Sequence, residues 1–298
     1  MDRILLLGCT GQLGWELQRT LAPLGDVTGL DCPEIDLAQP DSIHEVIRQI
    51  QPKIIVNATA YTAVDRAESE PELAMAINGI APGLLAEAAV SMKATLIHFS
   101  TDYVFDGCKG SPYIETDGPN PLSVYGSSKL AGEAAVNQAG GAYLILRTSW
   151  VYSVRRPSFV TKVLEWSRKQ AVLRMVTDQV ANPTSARMLA EVTAQLLVKG
   201  FARGNNSLND WIKDRSGIYH LAGSGIASRL EWAQAILDLD PHAAEQVTKK
   251  IEPALTAEFP SPAQRPLYSA LNCDLFEQTF GLQLPDWRMA LQLALDPG

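Results

Sequence analysis

Ile4-Leu5-Leu6-Leu7-Gly8-Cys9-Thr10-Gly11-Gln12-Leu13-Gly14 opens the chain with four apolar residues in a row and three evenly spaced glycines. An unbroken apolar run of this length, closed by glycine, is the pattern of a strand buried on both faces in a parallel sheet. Glycines at 8, 11 and 14 allow a tight turn, close approach of backbone to a pyrophosphate, and close packing of the following helix. That helix, expected from about Gln12 to Leu24, offers its N-terminus to phosphate charge. The spacing is not G-x-G-x-x-G, but a glycine triplet that follows a buried strand and opens a helix predicts a dinucleotide-binding turn.

The same alternation continues outward. Short strands are expected at Asp26 to Leu30, Lys53 to Asn57, Leu96 to Ser100 and Tyr143 to Leu146, with helices from Pro40 to about Gln51 and from roughly Pro71 to Met92 between them. This predicts an α/β fold, a Rossmann-like doubly wound parallel sheet. Asp31, at the end of the second strand, lies where an acidic residue reaches the adenosine ribose, which favours NAD over NADP; it suits a cap of the next turn equally well. Asn57-Ala58-Thr59-Ala60-Tyr61-Thr62 leaves the third strand with small residues, as a segment lying against a cofactor must. Asn78, in an otherwise apolar helix, either reaches toward the site or bonds to backbone. Thr101-Asp102 emerge at the carboxyl end of the fourth strand, where ligands bind in such sheets. The stretch from Tyr103 to Leu122, rich in glycine and proline, reads as an ordered loop that serves a site.

After Trp150 the regularity loosens. Residues 1–150 with about 185–220 are expected to form the dinucleotide-binding domain, and about 151–184 and 221–298 a smaller, discontinuous C-terminal substrate lobe. Asp178 to Thr184 reads as a turn, and Asn205-Asn206-Ser207 as a surface loop.

The 298 residues are 46% hydrophobic and 19% charged, with a formal net charge of -8. A nucleic-acid binder normally carries a basic stripe, so this balance argues against one and requires any anionic ligand to be held locally. Cys9, Cys32, Cys108 and Cys273 form no C-x-x-C pair and read as reduced thiols. The run Ile4 to Leu7 is too short for a signal segment, and no apolar stretch is expected to approach ~20 residues. The expected location is the cytoplasm, with no membrane partner.

Tyr125-Gly126-Ser127-Ser128-Lys129 carries acid/base chemistry. Its spacing puts a phenol and an ammonium on one helix face. A neighbouring cation favours the phenolate and is expected to lower the phenol pKa from ~10 by about three units.

A glycine turn at 8 to 14, a Thr101-Asp102 strand end and Tyr125 to Lys129, in that order, resemble the extended short-chain dehydrogenase/reductase superfamily. Within it, Ser100-Thr101-Asp102-Tyr103-Val104-Phe105-Asp106-Gly107, Tyr125 to Lys129 and Arg147-Thr148-Ser149-Trp150-Val151-Tyr152 are similar to the dTDP-4-dehydrorhamnose reductase family. Asn57-Ala58, Ala63-Val64-Asp65, the stretch Asp178-Gln179 to Pro183-Thr184, and Arg265-Pro266 extend the likeness over nearly the whole chain. The resemblance implies reduction of the 4-keto group of dTDP-4-dehydro-L-rhamnose by NADPH or NADH, with Tyr125 as proton donor. It implies that Lys129 binds the nicotinamide ribose and tunes Tyr125, and that Thr101 bonds the reacting oxygen. Gly8, Gly11, Gln12, Leu13, Gly14, Asp31, Asp36, Leu37, Ala60, Tyr61 and Thr62 map to the cofactor cleft, and Thr101, Asp102 and Trp150 to the dTDP-sugar site. The Trp150 indole packs on the sugar or base, or else closes a core edge. Some members form homodimers with Mg2+ at the interface; no carboxylate pattern here places such ligands. Two other readings share the motifs: a binding protein similar to the regulatory subunit of methionine adenosyltransferase, and a sugar-nucleotide epimerase.

Overall fold

The computed structural model describes residues 2–202 and 207–296. Asn205 and Asn206 lie outside the described residues.

Five strands in the first half, β1 (Arg3–Leu7), β2 (Asp26–Leu30), β3 (Ile54–Asn57), β4 (Thr95–Thr101) and β5 (Ala142–Thr148), join the late strand Gly217–His220 in one sheet. Its order is Gly217–His220, β5, β4, β3, β1, β2, and every pairing is parallel. Successive side chains on a strand point to opposite faces. Ile4 and Leu6, Ile54 and Val56, Leu144 and Leu146 therefore enter one core, while Leu5 and Leu7, Ile55 and Ile145 enter the other. Each face needs a helical cover, which is why these strands are apolar throughout. On the first face lie α1 (Gln12–Leu21) and the helix Ala186–Phe201. On the second lie α2 (Pro40–Ile50), α5 (Ala81–Met92) and α6 (Val124–Ala139). The chain runs from β1 to β2 on one side and then to β3 on the other side of β1, so the strand order reverses there and a crevice opens beyond the carboxyl ends.

Helix α1 stops at Leu21, short of the expected Leu24, because Pro23 has no N–H with which to continue the ladder. The expected helix from Pro71 to Met92 is continuous but not uniform: α4 (Pro71–Met75), a π turn at Ala76–Ile80, and α5, with a short α3 (Val64–Ala67) before it. It also corrects the expectation that no apolar stretch nears 20 residues. Pro71–Met92 is long and apolar enough to cross a membrane by length and composition alone, yet half of it is buried within the protein, where α5 and the π turn pack on α6.

A third core, apart from the two on the sheet faces, gathers Tyr152, Val163, Leu173, Trp232, Trp287 and Leu291 around the parallel pair Val172–Val176 and Lys250–Ala254. The expected turn at Asp178 to Thr184 holds two short strands. Val180–Ala181 pairs antiparallel with Ala227–Ser228, and Thr184–Ser185 pairs parallel with Val151–Tyr152. One boundary needs correction: Phe276, Phe280 and Leu284, expected in the substrate lobe, pack in the first sheet core. The helix Asp274–Phe280 lies beside the edge strand Gly217–His220, whose Tyr219 ring meets both phenylalanines.

Gly132 decides how closely α6 approaches the π turn, since a Cβ there would stand 2.1 Å from the Asn78 carbonyl oxygen. Alanine would gain about 1 kcal/mol of helix propensity, but overpacking costs ~1–3 kcal/mol and a backbone carbonyl cannot swing aside. With so deep an overlap the cost falls at the upper end, ~3 kcal/mol, and after the propensity gain Gly132→Ala should lose a net of about 2 kcal/mol of unfolding free energy in urea; an unchanged midpoint would show that the contact is not tight.

Candidate active site

At the carboxyl edge, a cleft of about 640 Å³ runs from the glycine turn to the second lobe. Gly8 takes φ +81°, and its carbonyl accepts the Gly11 N–H at 3.0 Å. A Cβ on Gly14 would lie 1.9 Å from that carbonyl, whereas one on Gly11 would meet only the same oxygen, at 3.3 Å. Gly14 therefore serves packing, and Gly11 keeps the cleft open. No side chain caps α1 at Gly11, so its first N–H groups are available at the cleft. The Gln12 Oε1 and Thr148 Oγ1 atoms are buried without a partner, and both residues line the cleft. These features fit a dinucleotide laid along the turn.

Asp31 both lines this end and holds it together, as its carboxylate accepts from Thr10 N–H at 3.2 Å, Thr10 Oγ1 at 2.6 Å and Cys32 N–H at 3.0 Å. Leu13, Ala60 and Thr62 also line the cleft. Four expected cofactor residues are not brought to its lining. Besides Gly14, Leu37 is buried in the second core, and Asp36 accepts the Ala38 N–H at 2.9 Å before α2. Tyr61 turns its hydroxyl to Glu70 at 2.5 Å. Of its two readings Asn78 takes the bond to backbone, accepting the Tyr61 N–H at 2.8 Å, and it also donates to Ser128 Oγ at 3.0 Å, bracing α6.

Ser123 caps α6, accepting the Gly126 N–H at 3.2 Å, and the first turn delivers Tyr125 to the cleft. Tyr125 and Thr101, at the end of β4, line the cleft together, and the Thr101 side chain is near enough to favour the phenolate. Lys129 does not act on it as the spacing suggested. Its Nζ donates to the Phe99 carbonyl at 2.7 Å and lies 3.4 Å from His98 Nε2. The expected lowering of the phenol pKa is therefore corrected: burial holds Tyr125 well above its ordinary value, outweighing the opposite effect of Thr101, with Asp102 and Tyr103 adding to the rise. Burial pulls Lys129 the other way, down to about 8, opposed by the charge of Glu133. At neutral pH the pair is a protonated phenol above an ammonium.

Asp102 is pushed up to about 6 by burial, against hydrogen bonds led by Ser269. The Ser269 Oγ donates to its Oδ2 at 2.5 Å and ties the C-terminal segment to the end of β4.

Trp150, directly after β5, takes φ +42°, a strained conformation of the kind concentrated at functional sites. Its ring stacks on Trp232 at 5.5 Å, and the Arg229 guanidinium carbon stands 3.5 Å over it. Burial lowers Arg229 to about 10, so it remains a cation at neutral pH. Arg229, Phe159, Trp232 and Arg156 complete the cleft and were not found from sequence. The one local signal was the Ser228…Glu231 capping box, which marks where a helix starts but not what its first residue faces. Among the described residues no group of three or more His, Cys, Asp or Glu side chains is placed to hold a metal ion.

A glycine-turn parallel sheet with a Tyr-x-x-x-Lys helix beside a Thr-Asp strand end defines an extended short-chain dehydrogenase/reductase. The narrower assignment follows from comparison with known proteins. The chain belongs to the RmlD substrate binding domain family, which it matches over residues 1–298. It is 41% identical over 297 residues to a dTDP-4-dehydrorhamnose reductase of Burkholderia thailandensis, covering 98% of both chains. Among solved structures it is similar to a dTDP-4-dehydrorhamnose reductase of Clostridium acetobutylicum, at 34% identity and TM-score 0.88 over 99% of this chain and 98% of that one. A reductase of the same name from Bacillus anthracis, solved in complex with NADP, matches at 31% identity and TM-score 0.85 over 98% of each chain.

The Asp102–Ser269 bond gives a pH-dependent expectation. The folded pKa of Asp102 stands above its ordinary 3.8, so its carboxylate costs the fold stability as pH rises through about 6. Ser269 relieves that cost. Ser269→Ala should therefore lose about 2 kcal/mol at pH 8, where the bond is charge-assisted, and about 1 kcal/mol at pH 5. Equal losses at the two pH values would show that Asp102 keeps one protonation state.

Proposed function

We propose that this chain reduces the 4-keto group of dTDP-4-dehydro-L-rhamnose to give dTDP-L-rhamnose at the expense of NADPH or NADH, with Tyr125 as the proton donor. The observation that carries the reading is Tyr125 and Thr101 brought together at the end of β4, in the cleft whose far end is the Gly8–Gly14 turn. The named relatives support the reaction, and the NADP held by the Bacillus anthracis reductase supports the cofactor class. The glycine turn and the α1 N-terminus would take the pyrophosphate, Asp31 the adenosine ribose, and Lys129 with Tyr125 the nicotinamide ribose.

The dihydronicotinamide, when bound, supplies the hydride. The chain's own part is to hold the keto oxygen between Thr101 and Tyr125 and to protonate it as charge develops. A sugar alkoxide is about as basic as hydroxide, whose conjugate acid has a pKa near ~15.7. Even a phenol held above its ordinary value therefore gives up its proton downhill, and the raised pKa keeps that proton in place until it is needed. Asp102 and Trp150 would bind the sugar nucleotide. Arg229 and Arg156 bring positive charge to the lobe end of the cleft, where a diphosphate needs it, in a chain of net charge -8. This reading places the chain among soluble nucleotide-sugar enzymes of the cytoplasm.

Two variants separate binding from chemistry. Gly11→Val should fold, since Gly11 has an ordinary φ of -70°, yet it should fill the pyrophosphate space and weaken NADPH binding by at least about tenfold. Tyr125→Phe should bind NADPH normally and lose roughly two to four decades of turnover. Near wild-type turnover in a folded Tyr125→Phe protein would overturn the proton-donor role.

A further inference from the structure

Behind Lys129 lies a polar chain to which the reduction as described gives no role. His98 is fully buried in the middle of β4. Its Nδ1 lies 3.1 Å from Asn57 Nδ2 on β3, and its Nε2 lies 3.4 Å from Lys129 Nζ on α6. Asn57 is itself oriented, because its Oδ1 accepts the Thr59 N–H at 3.1 Å. Burial first, and the charge of Lys129 second, hold the His98 pKa well below its ordinary value, so the ring is neutral. Among the described residues Lys129 is the one charge that acts on the ring, and Glu133 the one that acts on Lys129. Glu133, one turn along α6 from Lys129, is paired bidentately with Arg147 of β5 at 2.9 and 2.6 Å. Asp102 and Tyr125 belong to the cleft side.

A neutral imidazole carries one proton on its two nitrogens. If Asn57 donates to Nδ1, the ring proton sits on Nε2 and points at Lys129 Nζ, which can accept it as an amine and not as an ammonium. If the ring proton sits on Nδ1, the Nε2 lone pair accepts from the ammonium. The Asn57 amide must then turn its oxygen to the ring, giving up the Thr59 N–H. The Phe99 carbonyl accepts from Lys129 in either state. Tautomer, amide orientation and lysine charge are therefore linked, and a change from one state to the other releases one proton from the group as a whole.

We propose that Asn57 and His98 are a positioning pair that sets the charge state of Lys129, accepting from its ammonium in one imidazole tautomer and donating to its amine in the other. The proposal rests on the reading that Lys129, together with Tyr125, holds the nicotinamide ribose during the reduction. It predicts a histidine that changes tautomer without ever becoming a cation.

The test follows the imidazole 15N resonances of the full-length protein from pH 6 to 10, with His98 identified by its loss in His98→Gln. The Nδ1 and Nε2 shifts should exchange over the same pH span in which turnover falls, near pH 8, where burial places Lys129. A single tautomer throughout would overturn the proposal. Turnover gives an independent arm. His98→Gln retains an acceptor for the ammonium, so its alkaline fall should stay in place, whereas in His98→Phe it should move about one pH unit toward acid. Equal displacement in both variants would count against the pair. Should His98→Phe fail to fold, the tautomer measurement on the wild-type chain decides alone. Because the resonances need no turnover, their failure is distinguishable from failure of the reductase reading, which Tyr125→Phe tests.

Discussion

A lysine ammonium with no carboxylate bonded to it, buried at the floor of the cleft, is the constraint to which the rest of the site is fitted. Lowering its pKa from 10.5 to about 8 corresponds to on the order of 3 kcal/mol of unfavourable burial. The fold meets that cost with the Phe99 carbonyl, beside which His98 Nε2 can accept in one of its two tautomers, both residues lying on β4. This requires α6 to lie close over the strand. Gly132 allows that approach against the Asn78 carbonyl, and Asn78 bonds Ser128 from the other side. The π turn at Ala76–Ile80 is where the neighbouring helix departs from regularity to make these contacts.

The same edge is held from above by the second half of the chain. Ser269 bonds Asp102, and Arg265 pairs with Asp65 at 2.8 Å, linking the proline-rich segment to α3. Against the sheet, Glu133 of α6 joins Arg147 of β5 and Ser100 of β4 in a buried network at 2.5–2.9 Å. Breaking one partner of such a network leaves a charge without compensation, which is far costlier than its net contribution. Stability and chemistry therefore share α6: Glu133 anchors it, and Tyr125 works from its first turn.

The fold was legible where a physical pattern is local. A strand buried on both faces must be apolar throughout, so Ile4 to Leu7 could be read directly, and the glycine turn followed because only glycine tolerates the contact at Gly14. Tyr125 and Lys129 share a helix face as their spacing demands. Spacing fixes where a side chain starts, however, and not where a four-carbon stem ends, so the bond of Lys129 to Phe99 was invisible. So was the depth of burial, which reversed the expected direction for Tyr125. Arg229 over Trp150 joins residues 79 positions apart, and nothing near either one announces the other. The return of Phe276 and Phe280 to the first core is likewise a long-range packing outcome, set by the sheet edge at Gly217–His220 that the apolar face of the helix Asp274–Phe280 covers.

The most direct measurement is isotope transfer. NADPH deuterated on the transferable C4 position, incubated with the purified chain and dTDP-4-dehydro-L-rhamnose, should place one deuterium on C4 of the sugar while one equivalent of NADPH is oxidised. The proton on the new hydroxyl should come from solvent by way of Tyr125. A product that carries no deuterium, or a changed sugar formed without net oxidation of NADPH, would contradict a cleft built for one-way hydride delivery and protonation.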